Sequence, residues 1–188
     1  MKELDLAVFR GINGWPESLS GFLRFFSEAT NYLWFKVLLA VLVAFLIWRG
    51  REYRKAGVCA LLAFPIANGF TDILKAFFPQ NRPFQDHLDI VLRAGWSASH
   101  GTASAHSANM AAVAVVFVVC LRWWGLPWVV IALVTGISRV YVGVHYPHQV
   151  VFGWICGVLA GYLVLWAWGC IAARVNRVSK ADLEPSST

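Results

Sequence analysis

The chain has 188 residues, of which 59% are hydrophobic and only 14% charged, and its formal net charge is +6. Soluble domains are about half apolar and about a quarter charged, so this composition indicates an integral membrane protein and excludes an ordinary soluble domain. The excess of positive charge lies in short clusters beside apolar runs. That pattern is typical of membrane topology, and no nucleic acid is expected as a partner.

The first thirty residues mix acidic, basic and aromatic side chains at roughly helical spacing. Neither of the two helices that this spacing predicts is apolar enough to span a bilayer, and Pro16 suits the first turn of the second. We expect residues 1–30 to form an amphipathic segment at the membrane interface, anchored by Trp15. No basic region followed by an apolar core begins the chain, so no cleaved signal peptide is expected.

Five apolar runs then have the length that about 30 Å of hydrocarbon requires. They cover residues 31–48, 56–78, 104–122, 126–144 and 148–172. These runs predict an all-α, polytopic bundle of about five spanning helices. We expect a transmembrane domain over 31–173 and a disordered cytoplasmic tail over 174–188. Glycines recur at four-residue steps in the last run, at Gly153, Gly157 and Gly161. Such a strip favours close helix packing, here within a monomer rather than in a dimer.

Cations mark one end of these spans. Four of them fall in the connection 49–55, and others lie at Arg122 and in the tail. The positive-inside rule makes this end cytoplasmic. The long connection 79–103 then lies at the opposite, outer face. For a bacterial inner membrane, the sequence therefore predicts a periplasmic site.

Three stretches rich in charged and polar residues fall at that outer end. They contain Lys75 and Arg82, then Ser104, Ala105 and His106, then Arg139, His145 and Gln149. A transferred phosphoryl group spreads negative charge over three oxygens, which cations and hydrogen-bond donors stabilise. Two imidazoles can supply a nucleophile and a proton donor. The combination indicates a phosphatase.

Each stretch also has an ordinary structural interpretation. Lys75 and Arg82 suit a basic helix flank, and Ser104 suits a helix N-cap. The convergence of three separate stretches on one leaflet favours a site. His145 follows Gly143, whose turn is expected to bring the imidazole back toward the end of the helix. Gln149, one helical turn further, is expected to hold the second ring nitrogen.

The stretches Lys75-x6-Arg82-Pro83, Ser104-Ala105-His106 and Ser138-Arg139-x5-His145 resemble the three signature motifs of the type 2 phosphatidic acid phosphatase superfamily. The resemblance implies a membrane lipid phosphatase that needs no metal and no cofactor. It implies that His145 is the nucleophile, forming a phosphohistidine, and that His106 is the general acid. The phosphate-binding residues it implies are Lys75, Arg82, Ser104, Ala105 and Arg139.

Two positions depart from those motifs. Ala105 stands where the second motif usually has glycine, and Gln149 stands where the third usually ends in aspartate. The string from His145 to Gln149 is similar to the glucose-6-phosphatase branch, which carries glutamine there, so the change does not imply an inactive enzyme. The chain is too short for the usual nine spans of that branch, and its sugar substrate is not expected.

Several substrates stay open at this point. The sequence favours lipid A 1-phosphate, because a short N-terminal interfacial segment is expected to leave an open site for a bulky headgroup. Undecaprenyl diphosphate and phosphatidylglycerophosphate are the alternatives. A non-catalytic phospholipid-binding or transport protein is the alternative of another class. The four cysteines and the carboxylates lack the spacing of a metal site, so no metal is expected. His100 and His148 are expected to be solvated, and Arg93 to be accessible on the outer connection.

Overall fold

The computed structural model describes residues 2–86, 89–96 and 98–181, and over those residues the regular structure is entirely helical. The α-helices are α1 (Lys2–Asn13), α2 (Ser20–Glu28), α3 (Leu33–Arg49), α4 (Arg51–Phe77), α5 (Pro83–Asp86), α6 (Ala105–Leu121), α7 (Leu126–Tyr141) and α8 (Pro147–Ala181). Short 3₁₀ turns lie at Glu17–Leu19, Ala29–Asn31 and Arg122–Gly125. The predicted all-α class is confirmed.

By length and composition, three stretches of the described chain can cross a membrane: Arg51–Phe77, Ala105–Tyr141 and Pro147–Val178. The pair Glu17–Asn31 and Leu33–Arg49, bent by 72°, adds a fourth if it counts as one span. The stretch Ala105–Tyr141 contains α6 and α7, which pack on each other, with the rings of Phe117 and Trp128 4.8 Å apart. The predicted polytopic bundle is confirmed, and its five runs correspond to α3, α4, α6, α7 and α8.

The last helix extends beyond its predicted end. α8 continues to Ala181, so the prediction of a disordered tail is wrong for residues 174–181. Residues 170–181 are partly polar, but they contain no glycine or proline, and their alanines and arginines are strong helix formers. The rest of the predicted tail, 182–188, lies outside the described residues.

The centre of the bundle is built from small side chains of α4, α6 and α8. Its fully buried members include Cys59, Ala63, Ala67, Ala108, Ala112 and Ala160. The glycine strip of α8 faces α6: a Cβ added at Gly161 would lie 3.0 Å from Val115 Cβ. At Gly153 a Cβ would collide with the backbone oxygen of Ser104. The strip therefore serves packing within the molecule, as predicted, and it brings the first turns of α6 and α8 together.

The N-terminal segment packs against the end of the bundle where α7 ends and α8 begins. Phe9 of α1 is fully buried and contacts Tyr146, with ring centroids 5.5 Å apart. Leu23 of α2 packs with Tyr141 and Val144. The segment predicted to lie at the interface thus also covers the end of the bundle that carries the candidate site residues.

Candidate active site

Four helix ends converge around the sequence-predicted residues. α4 and α7 end there, and α6 and α8 begin there. The segments are joined through the backbone, since the Ser104 N–H donates to the Gln149 carbonyl at 2.9 Å and the Gly101 N–H donates to the Gln80 carbonyl at 2.8 Å. Most of the predicted residues are buried at this end: Arg82, Ser104, Arg139, His145 and Gln149.

His145 lies in the turn between α7 and α8 and is 2% exposed. Gly143 has a φ of +83°, which glycine adopts readily, and so provides the predicted turn. The Nδ1 atom of His145 lies 3.1 Å from the Gly101 carbonyl and 3.1 Å from Gln149 Oε1. Both partners are acceptors, so Nδ1 carries the proton. The lone pair is then on Nε2, the nitrogen available as a nucleophile.

The orientation of the Gln149 amide follows from its other partners. Its Oε1 accepts from the Tyr146 N–H at 3.2 Å, and its Nε2 donates to the Asn81 carbonyl at 2.9 Å. In a flipped amide, the NH₂ group would face the Tyr146 N–H, which is also a donor, and the oxygen would face the Asn81 carbonyl, which is also an acceptor. The side chain is fully buried. The contact expected from the sequence is therefore present, and the catalytic role stays a prediction.

Arg82 points into the site from the loop after α4. Its Nε donates to the Ser99 carbonyl and its Nη2 to Ser99 Oγ, both at 2.8 Å. Its Nη1 donates to the Val144 carbonyl at 3.3 Å and lies 3.3 Å from His145 Nε2. A guanidinium therefore faces the nitrogen with the free lone pair.

Arg139, in the last turn of α7, is 9% exposed. Its Nη1 donates to Ser27 Oγ at 2.6 Å and to the Ser27 carbonyl at 3.0 Å. Its buried Nε has no hydrogen-bond partner among the described residues. A buried donor without a partner is costly, and at a binding site it indicates a ligand position.

The electrostatic environment keeps His145 neutral. Burial lowers its pKa most, and the charges of Arg139 and Arg82 lower it further, to well below its ordinary value; the hydrogen bond with Gln149 acts in the opposite direction. An unprotonated imidazole is what a nucleophile requires.

Ser104 is the N-cap of α6, as predicted, and its Oγ accepts from the Ser107 N–H at 3.4 Å. Ala105 and His106 follow in the first helical turn, where backbone N–H groups have no partner within the helix. His106 is half-buried, and no hydrogen bond joins its ring to the described residues. A proton donor that is free to contact a ligand fits this position.

Lys75 lies at the end of α4, and its ammonium group is paired with a carboxylate. Its Nζ forms an ion pair with Asp72 Oδ1 at 3.0 Å. The two residues are three apart on one helix, a spacing that often pairs side chains. Lys75 thus lies at the same end of the bundle as the other predicted residues, and it is paired with a carboxylate.

Arg93, in the connection after α5, and His148, in the first turn of α8, differ from expectation. Arg93 is not accessible: its side chain is 9% exposed, it donates to the Asn13 and Tyr141 carbonyls, and it pairs with Glu17. His148 is not merely solvated, since its Nδ1 lies 2.6 Å from Asp5 Oδ2 and its Nε2 lies 2.8 Å from Gln80 Oε1. His100 is exposed, as expected.

The partners that sequence reasoning missed come from distant parts of the chain. They are Asp5, Asn13, Ser27, Ser99 and Gly101. No local pattern in the sequence marks them, because each acts through a contact that only the fold creates. Among the described residues, no group of three or more His, Cys, Asp and Glu side chains could hold a metal ion.

A family model of the PAP2 superfamily matches residues 56–172, well over half of the chain, including every predicted site residue. The chain belongs to the PAP2 superfamily. The resemblance drawn from the three motifs is confirmed.

Similar proteins support the same assignment. An undecaprenyl-diphosphatase of Sulfolobus acidocaldarius is 28% identical over 78% of this chain and 69% of that protein. A lipid A 4'-phosphatase of Bacteroides thetaiotaomicron is 26% identical over 91% of this chain and 78% of that protein.

A solved structure agrees as well. The crystal structure of Aquifex aeolicus LpxE superposes with a TM-score of 0.72 and 26% identity, covering 86% of this chain and 94% of that one. The protein is therefore a multi-pass membrane protein and a hydrolase that acts on lipid phosphates.

Proposed function

We propose that the protein hydrolyses a phosphate monoester or diphosphate of a lipid in two steps, through a phosphohistidine at His145. The observation that carries this proposal is the pair of acceptors on Nδ1, Gly101 O and Gln149 Oε1, each at 3.1 Å. They leave Nε2 unprotonated in a buried site that contains two arginines.

In the first step, Nε2 attacks phosphorus. The Nη1 group of Arg82 now lies 3.3 Å from this nitrogen, and it would exchange that contact for a phosphate oxygen. Arg139 would donate from its unpartnered Nε. Lys75, the Ser104 hydroxyl and the backbone at Ala105 would complete the phosphate site. Fixed donors of this kind stabilise the charge that develops in the transition state.

His106 would protonate the leaving oxygen and then activate the water that cleaves the phosphohistidine. Each step is balanced: the P–O bond to the lipid breaks as the N–P bond forms, and the N–P bond breaks as water adds. The proton that His106 gives in the first step returns to it from water in the second. No metal is required, because cationic side chains supply the positive charge.

Two substrates carry equal support. Undecaprenyl diphosphate is suggested by the name of the Sulfolobus relative, and a lipid A phosphate by the name of the Bacteroides relative. The lipid A 1-phosphate favoured from the sequence rested on an open site next to a short N-terminal segment. In the structure, α1 and α2 pack against the end of the bundle that carries the candidate site. An open site is therefore no longer a reason to prefer lipid A 1-phosphate over undecaprenyl diphosphate. Phosphatidylglycerophosphate is the third lipid to test.

The non-catalytic alternative rested on Gln149 alone. Because Gln149 makes the contact that an orienting residue needs, the glutamine is no argument against turnover.

We also propose that the site faces the periplasm across a bacterial inner membrane. The support is the charge pattern: the site lies where α4 ends and α6 begins, whereas the cations of 49–55, Arg122 and the α8 end lie at the other ends of the same helices. Positive charge favours the cytoplasmic side.

The experiment is a panel of the three lipids with purified protein in excess chelator, scored for released phosphate, with His145→Ala as the control. We expect full activity in chelator toward undecaprenyl diphosphate or a lipid A phosphate, and none in the variant. Activity that is lost in chelator and restored by magnesium would contradict the mechanism. Release of phosphate by His145→Ala would contradict the role of His145.

A further inference from the structure

The N-terminal segment contributes a polar contact to Arg139. Ser27 of α2 lies outside the residues 56–172 that the family model matches, yet its side chain is buried to 1% exposure beside Arg139. The contact joins residues that are 112 positions apart in the chain. Nothing in the three motifs predicts it.

We infer that Ser27 is a positioning residue for the phosphate-binding Arg139. The Ser27 Oγ and carbonyl both accept from Nη1, at 2.6 Å and 3.0 Å. Two acceptors on one nitrogen fix the plane of the guanidinium. The buried Nε, which has no partner among the described residues, is then left to donate to a ligand.

The chemistry of these acceptors matters. A carboxylate in the same place would cancel the charge of Arg139, and much of its attraction for phosphate would be lost. Lys75 shows that arrangement, since it is paired with Asp72. A hydroxyl and a carbonyl hold the guanidinium while leaving its charge intact. The carbonyl comes from the last turn of α2, where the helix dipole is negative and carbonyls lack partners within the helix.

The position of Ser27 is itself well fixed. Leu23, one turn earlier in α2, is buried against Tyr141, which ends α7, and Val144, which directly precedes His145. α2 therefore holds both the end of α7 and the side chain of Arg139. The guanidinium also acts on the nucleophile, because its charge contributes to the lowered pKa of His145.

The inference rests on the proposed phosphate role of Arg139, and its test uses vanadate, which mimics five-coordinate phosphorus and needs no knowledge of the natural lipid. The measured quantities are the inhibition constant for vanadate, kcat/KM for a lipid phosphate, and the melting temperature in detergent. Ser27→Ala and Ser27→Cys remove the hydroxyl, and Ser27→Thr retains it. Thr71→Val is the matched control, because Thr71 is also fully buried and its hydroxyl donates to the Asn68 carbonyl of its own helix.

Loss of a hydrogen bond to a charged group should weaken vanadate inhibition by about 10-fold or more and lower kcat/KM similarly in Ser27→Ala. Ser27→Cys should also bind vanadate more weakly. It replaces Ser27→Ala in the test if the alanine variant does not fold. For Ser27→Thr and Thr71→Val, the inhibition constant for vanadate should equal that of the wild type.

Wild-type vanadate inhibition in Ser27→Ala or Ser27→Cys would overturn the inference. So would a loss in Thr71→Val as large as that in Ser27→Ala, since it would mean general loosening of the bundle. A wild-type protein that neither binds vanadate nor releases phosphate would instead contradict the proposed function.

Discussion

The Gln149 amide joins His145 to the loop after α4. Its Oε1 lies 3.1 Å from His145 Nδ1, while its Nε2 donates to the Asn81 carbonyl at 2.9 Å. Asn81 immediately precedes Arg82. One buried side chain thus sets the tautomer of His145 and the backbone position next to Arg82. A neutral amide can make both contacts, whereas an unprotonated carboxylate of the same length would set an oxygen against the Asn81 carbonyl.

Substitutions of Gln149 should therefore change turnover and its pH dependence. Gln149→Ala removes one of the two acceptors on Nδ1, and turnover should fall about 10-fold, the loss of one neutral hydrogen bond. Apparent substrate affinity should change little. Full turnover in Gln149→Ala would mean that Gly101 alone orients the ring.

Gln149→Asp, measured in the same assay, gives the pH test. The folded site holds the pKa of His145 well below its ordinary value, so wild-type activity should fall only when the pH drops well below about 6.5. A carboxylate beside Nδ1 favours the protonated ring and raises that pKa. The acidic limb of the kcat/KM profile should then move to higher pH. An acidic limb at the same or a lower pH would contradict a contact between residue 149 and His145 Nδ1.

Gly101 should tolerate no side chain. A Cβ there would lie 2.7 Å from Gln149 Oε1 and 3.0 Å from Arg82 Cγ, so Gly101→Ala must displace one of them. We expect a loss of about 10-fold or more in kcat/KM, since a hydrogen bond to the nucleophile or to the charged guanidinium is weakened. Gly95→Ala, in the same loop with nothing within 4 Å of its Cβ, is the control. Equal activity of the two variants would show that the packing around Gly101 is unimportant.

The two histidines should fail differently. His145→Ala cannot form a phosphoenzyme and should be inert toward every substrate. His106→Ala lacks the proton donor, a loss of about 10²–10⁴ in rate for a poor leaving group. A p-nitrophenyl-type leaving group needs little protonation, so His106→Ala should keep part of its activity there. Parallel losses toward both substrates in both variants would show that the roles are misassigned.

The sidedness of the site can be tested with cysteines on either end of the bundle. Arg93 is too buried for labelling, whereas Trp96 in the same connection is 70% exposed. Trp96→Cys should react with an impermeant thiol reagent in intact spheroplasts, and Arg51→Cys, exposed at the start of α4, should not. The parent chain, whose four cysteines lie within helices, gives the background. The reverse pattern would place the site in the cytoplasm.

Much of the site could be predicted because its residues occur in short stretches with fixed spacing. The turn at Gly143, the cap at Ser104 and the contact of Gln149 with His145 are all local or nearly so. Each follows from chain geometry and hydrogen-bond chemistry, and the apolar runs predicted the helices within a few residues, apart from the far end of α8.

The remainder could not be predicted, because it depends on contacts between distant segments. Ser27 reaches Arg139 and Asp5 reaches His148 only after the N-terminal segment has packed on the bundle. The mixed composition of residues 1–30 is compatible with both a lipid-facing segment and one that packs on protein. The expectation that Arg93 is accessible is wrong for the same reason, since its acceptors lie on Asn13 and Tyr141.

Covalent catalysis by His145 is tested most directly by mass spectrometry of enzyme quenched at alkaline pH during turnover. The phosphohistidine mechanism predicts a phosphoryl group on the His145 imidazole, bound at Nε2, and its absence in His145→Ala. It also predicts that His106→Ala accumulates the phosphoenzyme with an activated substrate, because the water that cleaves the intermediate is no longer activated. A phosphoryl group on another residue, or turnover with no phosphoenzyme at any time point, would contradict it.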